Sequence, residues 1–347
     1  MIDSTRLSDD QIGDLVRAFA VIDLGDWGRP DIERVLAEHG WSLDREREKV
    51  LCFSTGLPTG SGYADTDTGY SPALSVTLAD GVGHAEAVEV FHTARRYAEE
   101  LLGPAPMRGG FGPWLRWRRD GATPRLRFSR ASREPVTASV RLELLATDPY
   151  EYREASAVDH LGEPPYSWCR IVHTDEMEGV LIPGDTIAQS WEDVERGMAG
   201  TLEDLAEDLP VLGEQPLTLL IEDWSDDSRE PTDKPTCYVR FTDGVLTVEC
   251  PASPTPELVP VLTELGWTEP SADWAAVAAG EWDWTSDPEG NPSFSREWPT
   301  TSPAAPADAA RLVTGALRAT GATLPGLSYW VGRNGESLGV NLPALGI

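Results

Sequence analysis

Several residue types that mark common functional classes are scarce in this chain. It has only 4 Cys and 5 His in 347 residues, and no two cysteines form the C-x-x-C pair typical of zinc and thiol-redox sites. No run of about 18 apolar residues, the length that a membrane-spanning helix needs, is present. Lysine occurs only at Lys49 and Lys234, so nearly all of the 28 basic residues are Arg. The sequence therefore argues against a disulfide framework, a cysteine-based zinc site and a membrane-spanning helix.

The chain is also strongly acidic, with a formal net charge of −30 and a pI near 4.4. Such a charge repels nucleic acid and anionic lipid, so we expect neither as a partner. Residues 1–6 contain no apolar signal core, and a cytoplasmic location is the expectation. Apolar residues make up 40% of the chain, which is the composition of a folded protein.

A chain of this length is expected to form two domains, each with its own core. The boundary is placed at Pro183-Gly184, because a new helix opens soon after it with Ser190 as its N-cap. This gives an N-terminal domain at 1–184 and a C-terminal domain at 185–347. In both domains helices are grouped between short alternating strands, which predicts an α+β fold of antiparallel sheets packed with helices.

Hydrophobic periodicity predicts the individual elements. Helices are predicted at 9–20, 30–39, 86–102, 191–209, 257–265 and 307–320, and strands at 50–53, 74–78, 114–118, 125–129, 137–145, 217–222, 237–242 and 245–250. The Asp243-Gly244 pair predicts a tight hairpin between the last two strands. Residues 54–62 are predicted to be a loop, and residues 146–184 and 274–306 to be largely irregular, with one more strand at 166–173. A last hairpin is predicted from strands at 329–333 and 337–341.

One seven-residue pattern, V-L-x-E-x-G-W, occurs twice. The copies are Val35–Trp41 and Val261–Trp267. Each is predicted to end an amphipathic helix with Gly as the stop and a Trp that packs back on the helix. The pattern indicates two modules of related build and carries no chemistry.

No catalytic, metal-binding or cofactor-binding constellation emerges. The Gly56–Gly62 segment resembles a phosphate loop only superficially, since it lacks Lys and precedes a strand. The acidic loop at 283–291 fails the spacing of an EF-hand. Cys237 and Cys250 lie on adjacent predicted strands, where two buried thiols are expected. We therefore expect a protein that is not an enzyme and has no cofactor. The alternatives are a hydrolase or small-ligand enzyme whose site is assembled from distant residues, and a purely structural tandem in which one unit covers the sheet of the other.

A cluster of arginines is the clearest candidate for function. Eight occur within 26 residues: Arg116, Arg118, Arg119, Arg125, Arg127, Arg130, Arg133 and Arg141. Strand alternation places Arg116, Arg118, Arg125 and Arg127 on one face of a hairpin. Four guanidinium groups on one face repel each other unless acids compensate. Acids of this chain, from the C-terminal domain or from the segment Asp148–Glu154, are one source, and an acidic protein partner is the other.

A tryptophan-rich segment forms the second candidate surface. Trp282 and Trp284 alternate with Glu281 and Asp283, so on a strand both rings share one face. Trp298 follows nearby. Such rings belong to a core or line a binding groove.

The C-terminal half resembles a known family. The resemblance is carried by Thr236–Phe241, Leu246–Glu249, Leu265–Trp267 and Phe294–Trp298, followed by a helix that ends before Pro325. These segments resemble the TY-chaperone group, which is related to YbjN and to type III secretion chaperones. The resemblance covers roughly residues 188 to 326. It implies a secretion-chaperone-like fold that binds a protein and commonly dimerises, in some cases within secreted toxin systems, and it brings no catalytic residues. The N-terminal half resembles an uncharacterised bacterial family with a helical start and a Gly-rich hairpin.

The leading hypothesis is a cytoplasmic adaptor, chaperone-like or immunity-like, whose partner is another protein such as a secreted effector or toxin. Trp and Arg anchors, the residue types enriched at binding hot spots, would carry the contact. Replacing Arg116 and Arg127 together by Glu is predicted to weaken partner capture without loss of folding.

Overall fold

The chain forms two compact units, Met1–Gly184 and Asp185–Ile347. The structure, a computed structural model, describes residues 5–47, 49–65, 72–130, 137–171, 185–225, 234–251, 258–268, 293–333 and 335–347. Each unit contains an antiparallel sheet with helices packed on it, which confirms the predicted α+β class.

The first unit is built on one long antiparallel sheet. Its strands are β1 (Thr5–Arg6), β2 (Ser42–Arg47), β3 (Val50–Ser54), β4 (Ser61–Asp65), β5 (Ala73–Val82), β6 (Met107–Gly109), β7 (Trp114–Arg116), β8 (Ala122–Arg130), β9 (Ala138–Ala146) and β10 (Cys169–Ile171). They are ordered β10-β6-β7-β8-β9-β5-β4-β3-β2, and β1 also pairs with β5. Strand β8 is therefore central, with a neighbour on each side.

Within the described part of this unit, the sheet is accompanied by the helices α1 (Asp9–Val21), α2 (Arg29–Glu38), α3 (His84–Leu102), α4 (Thr147–Ala155) and α5 (Ala157–Leu161). Helices α1 and α3 pack on each other, and α3 packs on β5, β8 and β9. The ring of Phe91 on α3 packs edge-on against the ring of Phe128 on β8, with 6.2 Å between the ring centres. The apolar stripe that predicted α3 is thus buried on the face of β8 that carries Phe128.

Two predictions for this unit have different outcomes. The Gly-rich segment 56–62 lies in the hairpin that connects β3 to β4, with Ser54 paired to Ser61, so it leads into a strand and not into a helix, as predicted. Strand β4 itself was not predicted, and it begins inside the predicted loop 54–62. The prediction of an irregular chain after residue 146 was wrong at its start, because α4 and α5 form there. Pro149 lies in the first turn of α4, where proline is tolerated because the first amides of a helix have no internal partner.

The second unit contains a sheet ordered β14-β13-β12-β11-β15-β16. Its helices are α6 (Trp191–Leu212), α7 (Leu258–Leu265) and α8 (Ala305–Ala319), and its strands are β11 (Leu217–Asp223), β12 (Thr236–Thr242), β13 (Val245–Pro251), β14 (Ser293–Pro299), β15 (Leu327–Arg333), β16 (Glu336–Ser337) and β17 (Val340–Asn341). Helix α6 packs against α8, and α8 packs on β12 and β13.

The hairpin between β12 and β13 turns as predicted. Asp243 and Gly244 have φ of 49° and 80°, the left-handed conformations that a two-residue turn of type I′ requires. Strand β14 was not predicted, since residues 274–306 were expected to be irregular. It pairs with β13 over seven residue pairs, from Val245–Pro299 to Pro251–Ser293.

Both copies of the repeated pattern end their helices in the same way. Gly40 and Gly266 have φ of 68° and 103°. The amide of Trp41 donates to the carbonyl of Leu36 at 2.8 Å, and the amide of Trp267 donates to Leu262 at 3.1 Å. This six-to-one hydrogen bond is the mark of a Schellman stop. Both indole rings are buried, so the pattern serves packing in both units, as predicted.

Candidate functional site

The strand register of unit 1 brings most of the arginine cluster onto one face. Arg116 on β7 lies opposite Arg125 on β8, and Arg125 lies opposite Glu143 on β9. Two residues further along β8, and so on the same face, Arg127 lies opposite Trp114 on β7 and Arg141 on β9. The alternate residues of β7 and β8, such as Leu126 and Phe128, are buried on the face that α3 covers. The predicted division of this hairpin into an apolar face and an arginine face is thus confirmed.

Three of the four predicted arginines hold acids of their own unit. Both terminal nitrogens of Arg116 donate to Glu154, each at 2.6 Å. Arg118 donates to Glu151 at 2.7 Å, and Arg125 donates to Glu143 at 2.6 Å. Glu151 and Glu154 lie on α4. The segment Asp148–Glu154 is therefore one of the sources of compensating charge that the sequence left open. The third acid, Glu143 on β9, was not among the expected sources.

Arg116 is integrated into the interior of the unit. Only 3% of its surface is exposed. Its guanidinium carbon lies 3.9 Å from the ring centre of Trp114 and 4.8 Å from that of Tyr150. Burial is the largest single influence and acts to lower the pKa of Arg116, but the charge of Glu154, the contact with Tyr150 and the hydrogen bonds to Glu154 together outweigh it, and the pKa is raised. The group stays charged, and the bidentate pair with Glu154 is a structural element of the unit.

Tyr150 links the two buried arginines. Its hydroxyl oxygen accepts hydrogen bonds from Arg116 at 3.2 Å and from Arg125. Burial raises the pKa of Tyr150 in spite of the two neighbouring cations, so the phenol remains protonated at neutral pH. Tyr166 also has a raised pKa, again mainly because of burial.

Arg127 differs from its neighbours. Its side chain is half-buried, and among the described residues no acid or hydrogen-bond acceptor pairs with it. The partner in register on β9 is Arg141, whose Nε is buried without an acceptor. Two like charges opposite each other on neighbouring strands repel. Arg127 is therefore a cation for which a bound anion is favourable.

A cleft of about 420 Å³ opens beside Arg127, and we refer to it as the arginine cleft. Its lining consists of Gly110, Phe111, Trp114, Arg116, Arg125, Arg127, Tyr150, Arg153, Glu154, Ala157, Leu161, Glu163, Pro164, Pro165 and Tyr166. Four of these residues are Arg and two are Glu, so the lining is cationic although the chain carries a net charge of −30.

The rim of the arginine cleft is apolar as well as charged. Phe111 is 53% exposed and Leu161 is 74% exposed. Both are large hydrophobic side chains, and they flank a lining that also includes Pro164 and Pro165. Guanidinium groups next to exposed aromatic and aliphatic surface are the chemistry of a binding surface for an anionic ligand with apolar neighbours.

Sequence reasoning missed the residues that complete this cleft. Tyr150 and Glu154 are four apart, so a helix places both on one face. The signal was present in Thr147-Asp148-Pro149, since an acid and a proline in the first turn are typical of a helix start. Phe111 had no such signal, because it lies in the loop between β6 and β7, outside any periodic element.

The predicted tryptophan surface is described only in part. Trp282 and Trp284 lie outside the described residues. Trp298 lies on β14 in the second unit, in register with Leu246, and is half-buried. The guanidinium carbon of Arg296 lies 5.7 Å from the ring centre of Trp298.

The two predicted neighbouring thiols also lie together. Cys237 and Cys250 are buried and carry free thiols. The contact with the Cys250 thiol, together with burial, raises the pKa of Cys237 well above its usual value. The Cys237 thiol is therefore protonated, and both cysteines are small buried groups of the core.

The described residues contain neither a cluster of metal-ligating side chains nor a membrane-spanning helix. In these parts of the chain, no group of three or more His, Cys, Asp or Glu side chains is arranged to hold a metal ion. None of the described helices has the length and hydropathy to cross a membrane.

Comparison with known proteins gives one match. The model of a family of unknown function, DUF6301, matches residues 10–135 of this chain. That segment includes α1 to α3 and ends just after β8, so it contains Phe111, Trp114 and the arginines of β7 and β8. Helix α4, which carries Glu151 and Glu154, follows the matched segment. No curated protein and no solved structure matches the chain.

Proposed function

We propose that this protein is a non-enzymatic adaptor that holds an acidic segment of a partner protein in the arginine cleft. The groups that line the cleft are guanidinium, carboxylate, phenol and aromatic side chains. Such groups bind a protein segment by charge pairing and by stacking.

The observation that carries the proposal is the state of Arg127. Its neighbours Arg116 and Arg125 hold acids at 2.6 Å, whereas Arg127 has none among the described residues. It lies in a cleft that is open at an exposed Phe111. A guanidinium offers five N–H donors, so an incoming carboxylate is bound by two parallel hydrogen bonds.

The biological setting of the proposal comes from the resemblance of the C-terminal half. A chaperone-like or immunity-like adaptor in the cytoplasm binds a secreted effector or toxin and commonly forms a dimer. The cleft in the first unit supplies the contact, and the secretion-chaperone-like second unit supplies a further binding surface around Trp298.

Affinity capture from native cells tests this function. The tagged full chain is compared with Arg127→Glu, and the bound proteins are quantified by mass spectrometry. We expect at least a tenfold loss of the specific partner with Arg127→Glu, since the new charge repels an acidic segment. The variant is expected to fold, because an acid at position 127 lies opposite Arg141 and forms a favourable cross-strand pair.

Arg96→Glu is the matched control. Arg96 is an exposed arginine on α3, the helix that packs on the other face of the sheet. The control is expected to retain the partner. Equal recovery of the same proteins by Arg127→Glu and by the unchanged chain would show that the cleft does not capture the partner.

A further inference from the structure

We infer that the arginine cleft recognises two features of the partner segment together: a side-chain carboxylate, and a bulky aliphatic or aromatic residue beside it. We call this pair of features the composite signal. This inference rests on the proposed function and narrows it, because capture by charge alone would accept any acidic segment.

The charge requirement follows from Arg127 and Arg141. They lie in register on β8 and β9, and among the described residues neither has an acid within hydrogen-bond or ion-pair distance. A carboxylate at Arg127 removes the repulsion between the two cations and uses donors that are already partly withdrawn from water. A neutral segment brings neither gain.

The apolar requirement follows from the rim. Phe111 and Leu161 keep 53% and 74% of their surface exposed although both line the cleft. The buried rings of Trp114 and Tyr166 also line the cleft. An apolar side chain of the ligand that covers Phe111 withdraws apolar area from water on both partners, which stabilises the complex by about 25 cal/mol per Å².

The exposed rim also bears on which part of a partner chain occupies the cleft, an internal segment or a chain end. Phe111, Arg153, Leu161 and Glu163 line the cleft and are exposed, so the cleft is open to solvent along its rim. A segment that passes along this rim presents an Asp or Glu side chain to Arg127, and such a side chain is the ligand group that we infer.

Peptide binding to the full chain, measured by fluorescence anisotropy, tests the inference. The first peptide has one Glu flanked by Leu and Trp and an amidated C terminus. In the second, Gln replaces Glu. In the third, Gly and Ser replace Leu and Trp. The fourth contains Gln and has a free carboxylate at its C terminus. We expect the first peptide to bind at least tenfold more tightly than each of the others.

Two variants and two controls assign the effect to the cleft. Arg127→Gln and Phe111→Ser are each expected to weaken binding of the first peptide about tenfold. Arg96→Gln and Leu101→Ser, which change an exposed Arg and a 48% exposed Leu on α3, are expected to leave it unchanged. Circular dichroism checks that every variant is folded.

The outcomes separate this inference from the function on which it rests. Equal binding of the first and third peptides, with loss of both in Arg127→Gln, would overturn the composite signal and leave capture of acidic segments standing. Tight binding of the fourth peptide would show a site for chain ends. If no peptide bound below millimolar concentration, the composite signal would be rejected, while the capture experiment would still decide the function independently.

Discussion

Neighbouring arginines on one face of a sheet have different roles because their burial differs. Arg116 is 3% exposed and is fixed by Glu154, Trp114 and Tyr150. Arg127, two strand positions from Arg125, is half-buried and unpaired among the described residues. From the sequence, Arg116 and Arg127 were predicted to be equivalent, and replacing both by Glu was predicted to leave folding intact. Burial of Arg116 removes the basis of that prediction, because a reversed charge there would face Glu154.

A single carboxylate in the second unit gives a prediction at the residue scale. Asp223 is 4% exposed, and its carboxylate accepts hydrogen bonds from the backbone amides of Ser225 at 2.7 Å and Thr323 at 2.8 Å. Burial acts to raise the pKa of Asp223, but the hydrogen bonds from Ser225 and Thr323 lower it below its usual value. Asp223→Asn is therefore expected to lower the free energy of unfolding at pH 7 by about 1–3 kcal/mol.

The dependence on pH follows from the direction of this shift. A carboxylate with a depressed pKa in the folded state stabilises it above the pKa of the unfolded chain, about 3.9 for Asp, and loses that effect as pH falls through the folded value. Urea denaturation of both proteins at pH 7, 5 and 3 should show a difference that shrinks only at the lowest pH. Asp243→Asn, in an exposed turn that suits Asn, is the control. A difference that stayed constant down to pH 3 would contradict the assignment.

At the scale of elements, helices with a clear apolar period were predicted closely. Helix α1 was predicted at 9–20 and spans Asp9–Val21, and α3 was predicted at 86–102 and spans His84–Leu102. Their periods are clear because one side of each helix is buried on a sheet or on another helix. The hairpin of β12 and β13 was found for a local reason, the Asp-Gly turn.

The elements that were missed depend on distant partners. Helix α4 has a weak apolar stripe, because the side chains it buries are polar and face arginines more than 30 positions earlier in the chain. Strand β14 is the last strand in the order of its sheet among the described residues. Buried and exposed side chains do not alternate regularly along it, so its sequence lacks a clear strand pattern. The arginine cleft could be predicted only as a charged hairpin. Its walls come from α4, α5 and the loop before β7, which no local pattern brings together.

The pair of acids on α4 provides a test at this scale. Glu154 and Arg116 have side chains 8% and 4% exposed, whereas Glu151 and Arg118 are 12% and 20% exposed. Removing one partner of a buried pair leaves an uncompensated charge, which costs about 3–5 kcal/mol. Glu154→Gln is therefore expected to destabilise unit 1 by about that amount.

Glu151→Gln is the matched comparison, with an expected loss of about 1 kcal/mol because Arg118 remains in contact with water. Urea denaturation followed by tryptophan fluorescence measures both variants. If Glu154→Gln were within about 1 kcal/mol of the unchanged protein, Arg116 would not depend on α4 for its charge balance.

On the scale of the whole molecule, a net charge of −30 is opposed by a local cationic lining. An acidic partner is repelled at long range by the rest of the surface. At physiological ionic strength the Debye length is about 8 Å, so exposed charges farther away are largely screened and the nearby arginines dominate the contact. The same global charge disfavours nucleic acid, whose phosphates extend well beyond one cleft.

A crystal structure of the full chain with the first peptide, Glu flanked by Leu and Trp, tests the central claim most directly. The account predicts a Glu carboxylate within about 3 Å of the Arg127 guanidinium, with an apolar side chain of the peptide on Phe111 and the pair of Arg116 with Glu154 unchanged. A peptide bound at another surface, or one that reached the cleft by displacing Glu154 while Arg127 stayed in solvent, would contradict it.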